Sequence, residues 1–500
     1  MIGTAMTAGK TFSSLLSEVS GLIEARGDSP ITGVASDSRQ VQPGDLFIAY
    51  RGFEADGHSY IEAALMNGAV AVLFQDARHE ETVEGVPWAR VADSRLACAE
   101  VAAAFFDHPS RAMKLAAVTG TNGKTTTTFM ISAIMRAAGM RAGVIGTLGY
   151  GPADDLADAA RTTPDAIELQ SQLRHMADAG IEGVAMETSS HALVLARTWR
   201  CAFDVGVFTN LSQDHLDFHH DLDEYLQAKL LLFTDYPAQA APYKNMVGAL
   251  NLDDPFGRRI AQSASCPVLG YGRGDGAPVH AASVVSAGAG SSFTLLVPGA
   301  RAEVELGLPG AFNVYNALAA AAAGHAMGID AEAIALGLHE MDRVPGRFER
   351  VDRGQPFEIV VDYAHTPEAL ANVMRVARTL QPRHLIVVFG CGGDRDRDKR
   401  PKMGRIATQM ADRVIITSDN PRSEDPLDII GQIRAGAEGD GWEIEPDRRA
   451  AIARALQMAA PGDLVLVAGK GHEDYQIFAD RTIHFDDREV AAELLAELGY

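Results

Sequence analysis

The chain is short of positive charge, of cysteine and of long apolar runs. Its 500 residues carry 44 Lys and Arg against 66 Asp and Glu, a formal charge of −22. So acidic a surface repels nucleic-acid phosphates unless a strong basic patch overrides it. The one basic cluster, Arg395 to Lys402, is broken by Asp396 and Asp398 and preceded by Asp394. That mixture suits a small zwitterion or anion, so no nucleic-acid partner is expected. The four cysteines, Cys98, Cys201, Cys266 and Cys391, are scattered without metal-ligand spacing. Reduced, buried thiols in a cytosol are the plain reading. No apolar run reaches the roughly 18 residues that a membrane-spanning helix needs. The opening stretch, MIGTAMTAGKTFSSLL, also lacks the apolar centre of a secretory signal. A cytoplasmic protein without membrane insertion is expected.

What is present is an ordinary globular composition, 47% hydrophobic and 22% charged. The length is too great for one core and implies several domains. Three blocks separate by pattern, at residues 1–108, 109–344 and 345–500. The first holds short β-like runs (Leu46–Ala49, Val70–Phe74) and an alanine-rich helix ending near Asp107-His108-Pro109. In the second, apolar runs at Leu115–Thr119, Gly183–Met186 and Val205–Thr209 alternate with helical patterns. That is the rhythm of a parallel α/β sheet. A stretch rich in Gly, Ser and Ala at 264–307 breaks it and reads as a local antiparallel insertion, followed by an alanine-rich helix over Asn316–Ala326. The third block has buried-strand candidates at Ile359–Asp362, Leu385–Phe389, Val414–Thr417 and Leu464–Ala468. The fold class is therefore α/β in three domains, with parallel sheets in the second and third. Ligands in such sheets sit outside the carboxyl ends of the strands.

The segment Gly120-Thr121-Asn122-Gly123-Lys124-Thr125-Thr126 follows a strand and opens a helix, the setting of a phosphate loop. Gly120 and Gly123 let backbone N–H groups approach phosphate oxygens, and the helix N-terminus adds partial positive charge. Lys124 would meet the outer phosphates of ATP and Thr125 would ligate Mg²⁺. The general pattern wants glycine where Val118 stands, which favours a shorter G-x-x-G-K-T-T form over a generic triphosphatase.

Glu187 comes directly after one apolar run and His215 lies after the next. Adjacent strand ends would bring the two together beside the loop, with Glu187 a suitable oxygen ligand for Mg²⁺. Lys229 sits in the helical, apolar run Tyr225–Phe233, where a lysine ordinarily snorkels to solvent.

Taken together the motifs resemble the Mur ligases of peptidoglycan synthesis over nearly the whole chain. They include Asp37-Ser38-Arg39, Gly44-Asp45-Leu46-Phe47, Gly120–Thr126, Glu187–Leu193, Thr209–Ser212 and Asp214-His215-Leu216-Asp217. They continue through Leu308-Pro309-Gly310 with Asn313 and Asn316, Gly346–Glu349 and Asp362-Tyr363-Ala364-His365. The resemblance implies an enzyme that uses ATP and Mg²⁺ to join a carboxylate to an amine through an acyl phosphate, as a monomer. Lys229 matches a lysine that becomes a carbamate (N6-carboxylysine) in this family, able to share a second Mg²⁺ with His215, which reverses the snorkelling reading. Arg347 matches an arginine reaching the γ-phosphate from the third domain, and Asn313 lies in a nucleotide-contacting stretch. Ser36, Ser38, Phe53, Glu54 and Ala55 match a uridine-diphosphate pocket in the first domain. Thr162, Thr163, Ser189 and Arg197 match residues that hold UDP-N-acetylmuramoyl-L-alanyl-D-glutamate. Arg161 and Leu195 depart from the family pattern, where relatives carry Asn and Gln. His365 is a candidate base for the incoming amine.

The third block carries Gly390–Arg395, then Asp419-Asn420-Pro421-Arg422, then Gly469-Lys470-Gly471-His472-Glu473, each after an apolar strand. The Asp-Asn-Pro-Arg tetrad resembles that of members adding meso-diaminopimelate as the third peptide residue. Diaminopimelate ends in a second amino-acid head, and its extra carboxylate calls for a guanidinium fork from Arg422 and Arg395. Glu473 would accept from the distal ammonium. Gly469, Asp419, Asn420 and Pro421 complete the implied pocket. A lysine-adding member, a D-alanyl-D-alanine-adding member and a folylpolyglutamate synthase are the alternatives that Asp37–Arg39 and Asp419–Arg422 disfavour. A P-loop ATPase that ligates nothing is the alternative of another class, separated by whether phosphate release needs both UDP-substrate and amine.

Overall fold

The structure, a computed structural model, describes residues 9–52, 55–159, 161–215, 218–287, 290–341 and 343–500. Among these, no helix is long and apolar enough to cross a membrane. Among the described residues three large sheets, of five, ten and six strands, are accompanied by a two-stranded ribbon of Tyr475–Ile477 and Thr482–His484.

The first sheet runs in the order Leu22–Arg26, Trp88–Val91, Ala71–Phe74, Asp45–Ile48, Gly33–Ala35. Its central strands are fully buried four-residue runs. The covering helix Ser94–Phe105 starts where the Asp93 carboxylate accepts from Arg95 N and Leu96 N, a standard N-cap. After it the backbone turns through Asp107 and His108, both at positive φ, into Pro109.

In the second sheet the strand Lys114–Thr119 lies between Gly183–Glu187 and Val205–Phe208, parallel to both. The strand ends that carry Glu187 and precede His215 are therefore not neighbours, as expected above; they flank the phosphate-loop strand on opposite sides. The expected antiparallel insertion is also only partly so. Val268–Gly272 continues the parallel ladder, and Val279–Ala287 joins it parallel before pairing antiparallel with Gly290–Val297. Adding Ala300–Leu306, these strands extend the main sheet rather than forming a separate one. Gly290–Val297 buries alternate residues, so its apolar content is half that of a doubly covered strand and reads as loop. The alanine-rich helix begins earlier than expected, at Ala311. Asn313 and Asn316 obscured its first turns because they face inward, buried and bonded to each other at 3.0 Å.

The third sheet runs Glu349–Arg350, Glu358–Asp362, Leu464–Ala468, Leu385–Phe389, Arg413–Ile416, Trp442–Ile444. All but the first pair are parallel. Separate apolar clusters cover its two faces. The strands ending at Ala468, Phe389 and Ile416 are neighbours, so the three charged motifs that follow them share one edge.

Candidate active site

Gly120 and Gly123 adopt φ of +150° and +85°. A Cβ at Gly120 would overlap the Thr209 hydroxyl, and one at Gly123 the Asn316 side-chain oxygen. The loop is braced from the next strand end. Thr209 Oγ1 donates to Asn122 O (2.7 Å), Asn122 N donates to Asn210 Oδ1 (2.9 Å), and Thr121 N donates to Asn210 O (2.9 Å). Lys124 folds back so that Nζ donates to Gly120 O (3.0 Å) and Thr121 O (2.9 Å). Burial pulls its ammonium below the ordinary lysine value, with Glu187 and Asp214 opposing. A phosphate arriving at these N–H groups would replace the carbonyls as its partner.

On one flank, Thr125 Oγ1 donates to Glu187 Oε1 at 3.0 Å and accepts from Arg347 Nη2 at 3.0 Å. Glu187 Oε1 also accepts from Thr147 N (2.8 Å). Arg347 arrives from the third block, its guanidinium 4.4 Å from the centre of the Tyr363 ring. Beyond Glu187, Thr163 Oγ1 donates to Glu187 O (2.9 Å) and accepts from Ser189 N (3.1 Å), while Arg197 Nη1 donates to Thr163 O (3.1 Å).

On the other flank Lys229 does not snorkel. It is 1% exposed, donates to Gly120 O at 3.0 Å and lies 4.3 Å from the centre of the Tyr225 ring. Burial, then the Lys124 charge, holds its amine well below the usual lysine range. His215, at φ +56°, has its imidazole pushed down to about 3 by burial and is neutral. Its ring stands edge-on to His191 at 5.1 Å between centroids. The neighbouring Asp214 is buried, 3.8 Å from His365 Nε2 and 3.9 Å from Lys399 Nζ of the third block.

These groups line one cavity of about 720 Å³. Of the residues singled out from sequence, Gly120–Thr126, Thr162, Thr163, Glu187, Ser189, Arg197, His215, Lys229, Asn313, Arg347 and Arg395 all reach it, as do Arg161 and His365. Leu195 is not in the lining. Ser36, Ser38 and Ala55, in the first block, do not line it; Ser38 O accepts from Asn67 Nδ2 at 2.8 Å. Phe53 and Glu54 fall outside the described residues.

Asp419, Asn420, Pro421, Arg422, Gly469 and Glu473 do not line that cavity and form a second group behind Tyr363 of its wall. Asn420 Nδ2 donates to Glu473 Oε2 (2.7 Å), and Arg422 Nη1 donates to Gly393 O (2.8 Å) and Asn420 O (3.4 Å). Arg395 stands between the groups: a Cβ on Gly392 would lie 2.9 Å from Arg422 Nη1 and 3.8 Å from Arg395 Cγ. Sequence reasoning assigned no role to Asp214, His191, Lys399, Glu368 or Lys470. Asp214, Lys399 and Glu368 have partners in another block of the chain, as with Asn122 Nδ2 donating to Glu368 Oε2 at 3.2 Å. Those of His191 and Lys470 lie in their own blocks but on separate segments, and no local pattern marks such pairs.

Among the described residues no group of three or more His, Cys, Asp or Glu side chains is arranged to hold a metal. The Thr125 hydroxyl and Glu187 carboxylate do form a pair of hard oxygens. That fits Mg²⁺, which typically takes one or two protein oxygens and fills its remaining positions with water and substrate phosphates.

Three family models match the chain: "Mur ligase family, catalytic domain" over 30–106, "Mur ligase middle domain" over 118–324, and "Mur ligase, glutamate ligase domain" over 346–471. A UDP-N-acetylmuramoyl-L-alanyl-D-glutamate–2,6-diaminopimelate ligase of Geobacter metallireducens is 45% identical over 94% of this chain and 94% of its own. The protein of that name from Geobacillus kaustophilus is 45% identical over 97% and 99%. A solved structure of a ligase of the same name superposes with a TM-score of 0.66 at 35% identity, covering 94% of this chain and 96% of its own. The chain belongs to the Mur ligase family.

Proposed function

We propose that the chain uses ATP to join the D-glutamyl γ-carboxylate of UDP-N-acetylmuramoyl-L-alanyl-D-glutamate to an amine of meso-diaminopimelate. The observation that carries this reading is Arg347 reaching Thr125 at 3.0 Å, which makes the phosphate loop one half of a site completed by the third block. The names of relatives sharing 45% of its residues support the substrates.

The γ-carboxylate attacks the γ-phosphorus of ATP, giving an acyl phosphate and ADP. The amine then attacks the acyl carbon, phosphate departs with the C–O bond electrons, and the amine proton passes to a base. Lys124 and Arg347 hold the transferring group and offset its charge, a task of positioning and electrostatics. Thr125 and Glu187 would hold Mg²⁺, which supplies charge neutralisation between phosphates when bound. Thr163, Ser189 and Arg197 orient the peptide end of the nucleotide substrate. Ser36, Ser38 and Ala55 would hold its uridine diphosphate. His365 faces both Asp214 and the amino-acid side of the cleft and serves as the candidate proton acceptor. Lys229 is suited to react with CO₂: an uncharged amine forms the N–C bond and releases a proton, leaving a carbamate that would lie beside Lys124 and share a second Mg²⁺ with His215.

Phosphate release tests the reading. It should require ATP, the UDP-dipeptide and diaminopimelate together, with L-lysine a poor replacement. ATP hydrolysis indifferent to both substrates would make this an ATPase, and turnover of L-lysine equal to that of diaminopimelate would remove the amino-acid assignment.

A further inference from the structure

Lys470, between Gly469 and Gly471, has no part in the reaction as described. It is fully buried, at 0% exposure, although a lysine chain ordinarily carries its charge to solvent. Its ammonium donates to Asn420 Oδ1 at 3.3 Å and to the carbonyl of Tyr475, and lies 3.5 Å from Glu473 Oε2. Asn420 Oδ1 also accepts from Ile477 N (3.0 Å). The amide is thereby fixed with Nδ2 towards Glu473, whose carboxylate it meets at 2.7 Å. Gly469, at φ +121°, makes the descent possible, since a Cβ there would overlap the Asp419 carboxylate.

The charges around Lys470 balance. Arg448 is committed to Asp487 through bonds of 2.8 and 2.7 Å, leaving its other side 3.9 Å from Asp419. Asp419 and Glu473 then stand against Lys470 and Arg422. Burial pushes the Glu473 carboxyl up and the Asp419 charge adds to this, while Lys470 opposes both effects. Buried charge is tolerated where it is compensated and costly where it is not.

We propose that Lys470 selects the charge of the amino acid's far end. It already sets an ammonium 3.5 Å from Glu473, so a ligand ending in a lone ammonium gains little there and meets a like charge a few ångströms behind. A ligand ending in a zwitterion brings its own carboxylate to Arg422 and leaves the balance unchanged. Arg422 attracts the right head group; Lys470 rejects the wrong one. Lys470 is a positioning residue and touches no reacting atom.

The inference rests on the ligase reading, and amide formation by the full-length chain with meso-diaminopimelate and with L-lysine separates the two. In Lys470→Gln and Lys470→Met the kcat/KM ratio of diaminopimelate over lysine should fall about tenfold or more, the scale of one compensated charge pair at short range. Lys470→Arg should keep most of the ratio, and KM for ATP should not move. A ratio within twofold of wild type in a folded neutral variant, or equal losses with both amino acids, overturns the proposal. Unsubstituted protein gives a second measurement that needs no variant. L-norleucine, lysine's uncharged-ended analogue, should inhibit competitively about as well as L-lysine; tenfold tighter inhibition by lysine would also overturn it. Wild-type protein that forms an amide with neither amino acid removes the ligase reading instead.

Discussion

Lys124 and Lys229 both aim at the carbonyl of Gly120, each at 3.0 Å. Two ammonium groups on one acceptor repel each other, and the fully buried Lys229 is the one that burial disfavours more strongly as a cation. A side chain that is costly as a cation and stabilised as an anion beside the Lys124 ammonium is set up to be carboxylated. Lys229→Ala should therefore reduce ligation by about a thousandfold, the order found when a group stabilising transition-state charge is removed. Added short carboxylic acids should restore part of it by supplying the missing anion. Incubation of the unsubstituted chain with ¹³C-bicarbonate should give a carbamate carbon signal that Lys229→Ala lacks. A variant as active as wild type would remove the carbamate from the mechanism.

At the scale of elements, the phosphate loop depends on what packs against it. Gly123 begins the helix Lys124–Ala137 at φ +85°, and its missing Cβ is the space taken by Asn316 of the helix Ala311–Ala326. Gly123→Ala meets both the backbone penalty and the overlap, and should lower stability by about 1–3 kcal/mol while weakening ATP binding. Adding Asn316→Ala removes the overlap but not the backbone penalty, so the double variant should regain only part of the loss in a denaturant titration. The loop, the buried strands and the order of motifs were legible in the sequence because each is local: a glycine spacing, an apolar run, a strand followed by a charge. What was not legible depends on pairing across the chain. Nothing between Met186 and His215 reveals that the strand carrying Thr119 passes between them. The weakly apolar alternation of Gly290–Val297 does not disclose that it extends the main sheet. The burial of Lys229 and Lys470 likewise depends on which elements close over them.

At the scale of the whole molecule, the segment from Gly392 to Lys402 links the two sites. Towards the proposed amino-acid pocket, Asp394 accepts from Ser423 N (3.1 Å) and Oγ (2.6 Å), and Arg400 makes two bonds of 2.9 Å to Glu424. Towards the phosphate loop, Asp396 accepts from Gln213 Nε2 (3.1 Å), Lys402 bonds Gln213 Oε1, and Lys399 lies 3.9 Å from Asp214. Lys399→Met should weaken this contact. The expected result is about a tenfold loss of kcat, equivalent to about 1.4 kcal/mol on the barrier. Affinity for a non-hydrolysable ATP analogue should be little changed, and X-ray scattering of the analogue-bound form should show a larger radius of gyration. Unchanged dimensions and turnover would mean that the pair does not hold the halves together. A related constraint lies at Gly346. A Cβ there would overlap His472 N, and one on Gly471 would lie 2.7 Å from Gly346 O. The backbone leading into Arg347 thus rests directly on the backbone leading into Glu473, the residues proposed to meet phosphate and amino acid. Anyone grafting a foreign third domain to change the amino acid would do best to cut ahead of Val344, carrying both backbones from one parent, because a seam at Arg347 would join halves whose contact allows no room for mismatch.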